Sequence, residues 1–363
     1  MKILHVITSL HTGGAERLMV DLLPRLKERG IAVDLLLFNG TRTPFREDIE
    51  ARGIKVIDFG QKNNVYNPLN ILRLRKYVSN YDIIHTHNYS PQIFTIFSLF
   101  GKKTKLVTTE HSGSNRRRAH RWFAHIDRWM YNKYDRVICI ADKTLNNIID
   151  FIGKGNDNMT VINNGIDTSR FINATPSDAL ETIAPGSKKV IMVAGFRWEK
   201  DQDTLIASLE HLPDTFHLFL VGDGIRRNEL EKVASDKRLS ERIHFLGVRT
   251  DIPQLLRAAD YIVMSSHFEG LSLSSVEGLC SGKPFLASDV DGLREITHGA
   301  GILFPHSDAQ TLADIILNLE NNPKQYNEVS QKCVDRGRQY DISTMTDKYI
   351  RCYQEILDSN RKA

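Results

Sequence analysis

The sequence predicts an α/β protein made of two doubly wound domains, each a parallel sheet covered by helices on both faces. Three observations carry that expectation. The chain has 363 residues, enough for two domains of ordinary size. Short continuous apolar runs alternate with amphipathic stretches along almost all of it, as strands buried on both faces do. The alternation pauses near residue 170, breaks at Thr175-Pro176-Ser177 and Pro185-Gly186-Ser187, and then restarts.

Strand candidates in the first half are residues 2–8, 32–38, 55–59, 82–87, 105–109, 136–140 and 159–162, with helical patterns at 15–29, 68–80 and 141–152. In the second half they are 189–194, 216–221, 242–246, 261–265, 284–287 and 301–304. Helical patterns at 203–212, 226–239, 252–259 and 310–321 lie between them. Residues 342–358 read as one closing amphipathic helix. The expected domains are 1–170 and 171–341. Each would bind ligand at the carboxyl ends of its strands, and a cleft between two such edges would suit two substrates.

Composition narrows the function classes. A hydrophobic content of 41% and a charged content of 25% fit a soluble globular protein. Cys139, Cys280, Cys333 and Cys352 are scattered without C-x-x-C spacing, which implies neither a disulfide framework nor a zinc site and suits a reducing, cytoplasmic setting. The chain opens directly on a strand, without a signal-peptide pattern, and no apolar run approaches the ~18 residues of a membrane span. The net charge of +4 is uneven. Residues 1–170 hold 26 Lys and Arg against 16 Asp and Glu, net +10; residues 171–363 hold 22 against 28, net −6. A basic half points to an anionic partner; an uneven but solvated surface is the plain alternative.

The densest motif is Phe268-Glu269-Gly270-Leu271-Ser272-Leu273-Ser274-Ser275-Val276-Glu277-Gly278. It follows an apolar strand and opens a short helix that stops at Gly282. Glu269 therefore precedes the helix and Glu277 lies within it. A helix N-terminus offers unpaired N–H groups to phosphate, and carboxylates accept hydrogen bonds from hydroxyls. Phosphate and hydroxyls together describe a nucleotide sugar. Gly13 and Gly14 follow the first strand and open the first helix, where backbone N–H groups can approach a ligand. Arg197 and Lys200 follow the first strand of the second domain and offer two cations for phosphate. Gly222 lies in a strand-end turn and is expected to shape the loop. Asp201/Asp203 and Asp289/Asp291 match D-x-D, but helix capping and turn roles are the expected ones, and no metal is expected.

Histidines gather at strand ends. His85 and His87 form H-x-H on one strand face, which could ligate zinc, although no third ligand stands out in the sequence. His111 follows the next strand and is expected to hydrogen-bond at the ligand edge, with His85 structural. Residues 116–130 mix arginines with Trp122, Phe123 and Trp129. They read either as an interfacial helix on anionic lipid or as a core helix with a basic outer face.

In this order, these elements resemble the retaining glycosyltransferases of family 4, which have the GT-B fold of two Rossmann-like domains. The most specific parts are Glu269 and Glu277 in their setting, from Gly247-Val248-Arg249-Thr250-Asp251 through Ala258-Ala259-Asp260 to Gly282-Lys283-Pro284-Phe285. Asn163-Asn164-Gly165-Ile166-Asp167 matches the inter-domain crossover, and residues 342–363 look like the helix that returns to the first domain. The resemblance implies transfer of a sugar from a nucleoside diphosphate, UDP favoured, to a hydroxyl of a glycan or lipid-linked acceptor, without cofactor or metal. It implies His111, Arg197, Lys200 and Glu269 as catalytic residues. It gives the donor to Gly13, Gly14, Gly222, Val248, Gly270, Leu271, Ser272, Leu273 and Glu277: Glu269 on sugar hydroxyls, the amides of 270–273 on phosphate, Glu277 on ribose and Val248 near the base. The Arg197–Lys200 loop is shorter than is usual for the family. Polysaccharide assembly at the cytoplasmic membrane face follows from charge and family, with no nucleic-acid partner. A nucleotide-sugar epimerase of similar architecture and an inactive nucleotide-sugar-binding protein are the competing readings. A dehydrogenase would want G-x-G-x-x-G after a strand, which is missing.

Overall fold

Thirteen strands appear where apolar runs were expected, in a computed structural model that describes residues 1–11, 13–111, 120–155, 157–270 and 272–358. The first seven are β1 (Lys2–Ile7), β2 (Ala32–Leu37), β3 (Lys55–Asp58), β4 (Ile83–His87), β5 (Lys105–Glu110), β6 (Arg136–Cys139) and β7 (Met159–Val161). They form one parallel sheet in the order β3-β2-β1-β4-β5-β6-β7. The other six are β8 (Lys188–Val193), β9 (Phe216–Val221), β10 (Ile243–Gly247), β11 (Tyr261–Met264), β12 (Phe285–Ser288) and β13 (Ile302–Phe304). Their sheet, also parallel, runs β10-β9-β8-β11-β12-β13. In each sheet the winding direction reverses once, between β1 and β4 and between β8 and β11. Ligands of open α/β sheets bind at such reversals, beyond the carboxyl ends of the strands.

The chain divides into two compact units, Met1–Asn164 with Ile342–Ala363, and Gly165–Asp341. Residues 165–170 go with the second because Ile166 bridges to Asp341 and Phe171 packs in that unit's core. In the first unit, strand alternation sorts the core onto two faces. Leu4, Val6, Leu36 and Ile84 face one cluster with Leu74, Val78 and Tyr131. Ile3, Ile7, Leu35 and Ile83 face the other, which is closed by Met345, Tyr349, Tyr353 and Ile356 of the terminal helix Ile342–Asp358. That helix therefore covers the sheet face to which His5 and His85 belong.

Helices fall close to their expected places: Gly14–Glu28, Asp142–Ile152, Gln202–Ser208, Arg227–Asp236, Ile252–Ala258 and Ala309–Asn321. One departs. The expected helix at 68–80 is two pieces, Leu69–Arg75 and a 3-10 turn at Val78–Asn80. Its hydrogen bonds tighten to the i−3 carbonyl, Tyr77 N–H to Leu74 at 2.8 Å and Asn80 N–H to Tyr77 at 3.0 Å. All four cysteines are buried and unbridged. Among the described residues no helix is long and apolar enough to cross a membrane.

Candidate active site

At the second unit's reversal point, two loops meet. One leaves β8 and carries Arg197 and the turn Trp198–Lys200; the other leaves β11 and carries Ser265 to Ser272. They are stitched together by backbone: His267 N–H donates to the Glu199 carbonyl at 2.9 Å, and Ser265 Oγ donates to the Asp201 carbonyl at 2.7 Å. Asp201 sits at φ 47° and caps the following helix, accepting from Thr204 N–H and hydroxyl. This stitching aims Lys200 at Glu269. Their ion pair is largely covered, with side chains 15% and 10% exposed. The same carboxylate oxygen accepts from Ser266 Oγ at 2.8 Å. Arg197 is exposed, and its guanidinium has no partner among the described residues.

The turn that follows Glu269 leads into a short helix. Gly270 is exposed and nothing stands near the place a Cβ would occupy. Ser272 caps the helix Leu273–Leu279 with extended backbone and no side-chain hydrogen bond, so the first-turn N–H groups are not taken by its hydroxyl. Leu271 lies outside the described residues. Glu277 is half-buried one helical turn further on. Gly292 supports the turn from beneath. It has φ 85°, and a Cβ there would lie 2.4 Å from the Glu269 carbonyl oxygen and 2.5 Å from that of Gly270. Only glycine allows that approach. Gly222 has φ 137°, and its Cβ would fall 2.1 Å from the Ala194 carbonyl oxygen, so it seats the β8 loop by close packing. Val248 is 80% exposed just after β10.

The first unit, taken by itself, has two strand-end features. Gly13 is the extended N-cap of the helix Gly14–Glu28, and a Cβ on it would meet the Glu16 carboxylate at 2.3 Å. At Gly14 that space is open. His111 follows β5 and shares a hydrogen bond with His87 Nδ1 through Nε2, at 2.9 Å. His87 Nε2 in turn meets His5 Nδ1 at 3.1 Å. His85 is held between Tyr353 OH at 2.6 Å and Thr109 Oγ1 at 2.8 Å. Burial disfavours the charged imidazolium throughout. It brings His5 down to about 3 and His111 to about 4, and holds His85 and His87 well below the ordinary range.

Sequence reasoning missed His5, Ser266 and Gly292. The parallel register that pairs His5 with His85 was the available signal for the first. His5 is also the third ring that the H-x-H reading lacked: one nitrogen from each of His5, His85 and His87 lies within 4.8 Å of the others. The rings stack, His85 on His87 at 4.4 Å between centroids, and each of the three makes a hydrogen bond through at least one ring nitrogen. A second such group is Asp201, His267 and His306, in which His267 Nδ1 is 2.7 Å from His306 Nε2 and 3.5 Å from Asp201. The remaining D-x-D carboxylates have arginine partners: Asp203 with Arg226 at 2.7 Å and Asp289 with Arg294 at 2.6 Å. Of residues 116–130, 116–119 lie outside the described residues and 123–130 belong to the helix Phe123–Tyr131. It buries Asp127, Met130 and Tyr131, while Trp122 and Trp129 stay exposed and Trp129 contacts exposed Phe97.

Two doubly wound parallel-sheet units, each with one reversal point, are the class of fold called GT-B. Solved structures agree on the fold: Anabaena HepE in complex with UDP aligns with 98% of this chain and 100% of its own at a TM-score of 0.84 and 22% identity. Residues 12–170 match the family described as Glycosyltransferase Family 4, and residues 177–339 match Glycosyl transferases group 1. The chain belongs to glycosyltransferase family 4. Among curated relatives, the lipopolysaccharide core biosynthesis glycosyltransferase LpsD of Rhizobium meliloti is 25% identical over 359 residues, 96% of this chain and 97% of its own. The UDP-Gal:alpha-D-GlcNAc-diphosphoundecaprenol alpha-1,3-galactosyltransferase of Escherichia coli is 25% identical over 296 residues, 76% of each chain.

Proposed function

We propose that this glycosyltransferase moves a hexose or related sugar from a UDP-sugar to a hydroxyl of a glycan or lipid-linked acceptor, with retention of anomeric configuration. The observation that carries the reading is the convergence of Lys200 and Glu269 on one loop junction, beside exposed Gly270 and shortly before the N-terminus of the helix Leu273–Leu279. As the sugar–phosphate bond breaks, charge grows on the departing diphosphate while the sugar turns oxocarbenium-like. Fixed donors and cations aimed at that diphosphate stabilise this state more than the ground state. Lys200 leaves Glu269 for the diphosphate, Arg197 closes on it from solvent, and Glu269 is released to the sugar hydroxyls. Glu277 takes the ribose and Val248 lies by the base. No residue is assigned as a covalent nucleophile: the acceptor attacks the same face within an ion pair, and a donor phosphate oxygen takes its proton. Lys200, Arg197 and the amides carry the charge without a metal.

The donor assignment is supported by HepE, solved with UDP and with UDP-glucose. The acceptor assignment is supported by relatives named for undecaprenol-linked substrates and by the net +10 of residues 1–170. Exposed Phe97, Phe100, Trp122 and Trp129, near Lys102, Lys103 and Arg121 in sequence, suit a peripheral contact with an anionic membrane face. The test is a thermal-shift screen of nucleotide sugars, followed by turnover with and without EDTA. A UDP-sugar at a hundred times its dissociation constant should stabilise by about 2.7 kcal/mol, and EDTA should leave turnover unchanged. Stabilisation by no UDP-sugar would defeat the donor assignment.

A further inference from the structure

Asp201 is a buried carboxylate without a lysine or arginine partner. Its side chain is 4% exposed. Asp203 and Asp289 each pair with an arginine, yet among the described residues no lysine or arginine reaches Asp201. Its oxygens accept from the Thr204 hydroxyl at 2.7 Å and from the Thr204 amide at 3.3 Å. Both donors are neutral. A covered negative charge held by neutral donors alone is costly unless a cation stands beside it.

What stands beside it is a pair of imidazoles. His267 Nδ1 is 3.5 Å from Asp201 Oδ2 and 2.7 Å from His306 Nε2. One atom of each residue lies within 4.8 Å of the other two. His267 is held in place: its backbone N–H donates to the Glu199 carbonyl, and its ring centroid lies 4.5 Å from that of Trp198. His306 follows β13 and is exposed, so an ion can arrive from solvent on that side.

Two imidazoles and a carboxylate are a ligand set for zinc and its neighbours among the divalent ions. Bonds of about 2.0–2.2 Å put tetrahedral ligand atoms roughly 3.3 Å apart. The Asp201–His267 spacing already fits. The hydrogen bond between His267 and His306 must open by about half an ångström, a shift that exposed His306 can make. Each neutral ring then keeps its proton on its other nitrogen and offers a lone pair. The Ser307 hydroxyl, 3.2 Å from His306 Nε2, turns away. The Thr204 hydroxyl stays on Asp201 Oδ2 and orients it, as outer-shell donors do, and water takes the fourth position.

We propose that Asp201, His267 and His306 form a site for a divalent ion of the zinc class. The three residues come from the loops after β8, β11 and β13, so the ion ties those loops together. Asp201 directly follows Lys200, and Glu269 lies two residues beyond His267, so the tie braces the backbone of the candidate active site. The ion is a staple and takes no part in the diphosphate chemistry proposed above, on which the site does not depend.

The experiment uses the untagged full chain, stripped with EDTA, dialysed free of it and kept without nucleotide. After dialysis against micromolar zinc, the parent should hold an ion that His306→Ala lacks. Calorimetric affinity for zinc should fall at least about tenfold in that variant. Cobalt(II) should give the parent the strong visible absorption of a tetrahedral site and give His306→Ala none. Zinc at about a hundred times its dissociation constant should raise the parent's melting midpoint by about 5 °C, with the gain lost in His306→Ala and absent with magnesium. His306 is exposed, so its replacement should leave the fold intact. No zinc bound by the parent would overturn the inference, as would an equal rise with magnesium. Equal zinc affinity in parent and His306→Ala would also overturn it and point to the buried group His5, His85 and His87 instead. Each outcome is read without UDP, so it is separate from the fate of the donor assignment.

Discussion

Lys200 has two duties in this account, and replacing it by alanine should expose both. In the structure its ammonium meets Glu269 in a pair whose side chains are 15% and 10% exposed, and Ser266 donates to the same carboxylate oxygen at 2.8 Å. Removing the cation leaves a mostly covered carboxylate with that hydroxyl and without its charge partner. A desolvated group that loses its partner costs about 1–3 kcal/mol, so Lys200→Ala should destabilise the protein by about 2 kcal/mol. Loss of one preorganised donor to a developing anion lowers turnover by about a hundredfold, or ~2.7 kcal/mol. The double variant Lys200→Ala/Glu269→Gln separates the duties. Neutralising that carboxylate should return most of the lost stability and none of the turnover. Urea denaturation gives the first quantity and the initial rate of UDP release the second. Turnover within about threefold of the parent in Lys200→Ala would refute the reasoning. So would recovery of turnover in the double variant, which would make Lys200 merely the structural partner of Glu269.

Glu277→Ala should weaken UDP binding, read by titration calorimetry, by about tenfold with kcat nearly kept, and unchanged affinity would remove the ribose assignment. Gly292→Ala places a methyl into the carbonyls of Glu269 and Gly270 at a positive φ, which should cost about 1–3 kcal/mol and raise KM for the donor; a parental melting curve would show that the turn does not depend on this contact. Acid should unfold the protein through His5, His85, His87 and His111, of which His5, His85 and His87 lie against one another, His111 lies against His87, and His85 lies against Tyr349 and Tyr353. Their folded pKa values lie below the unfolded value near 6.5, so stability is complete above it and falls as pH drops below it. At pH 5 His5 and His111 should each cost about 2 kcal/mol, and a denaturation midpoint that is flat between pH 7.5 and 5 would contradict neutral burial of these rings.

Strands were legible because parallel strands buried on both faces write continuous apolar runs, as Tyr261-Ile262-Val263-Met264 does. The Glu269–Glu277 turn was legible because strand, glycine and helix signals are contiguous there. The site's supports were not, because they depend on which strands become neighbours. His5 meets His87 across 82 positions only because β1 lies against β4, and Tyr353 reaches His85 only because the last helix closes that face. Gly292 reads as an ordinary turn glycine until the carbonyls above it are in view. The break in the helix at 68–80 was hidden by an apolar pattern that continues through it. Arg116, Arg117, Arg118 and Leu271 lie outside the described residues.

The central claim is that diphosphate charge is met at the second unit's reversal point. The most direct measurement is a crystal structure of the protein grown with UDP. The account predicts the diphosphate within hydrogen-bond distance of the amides of 270–273 and of Lys200, with the ribose on Glu277. A diphosphate bound elsewhere, with that turn unoccupied, would contradict it.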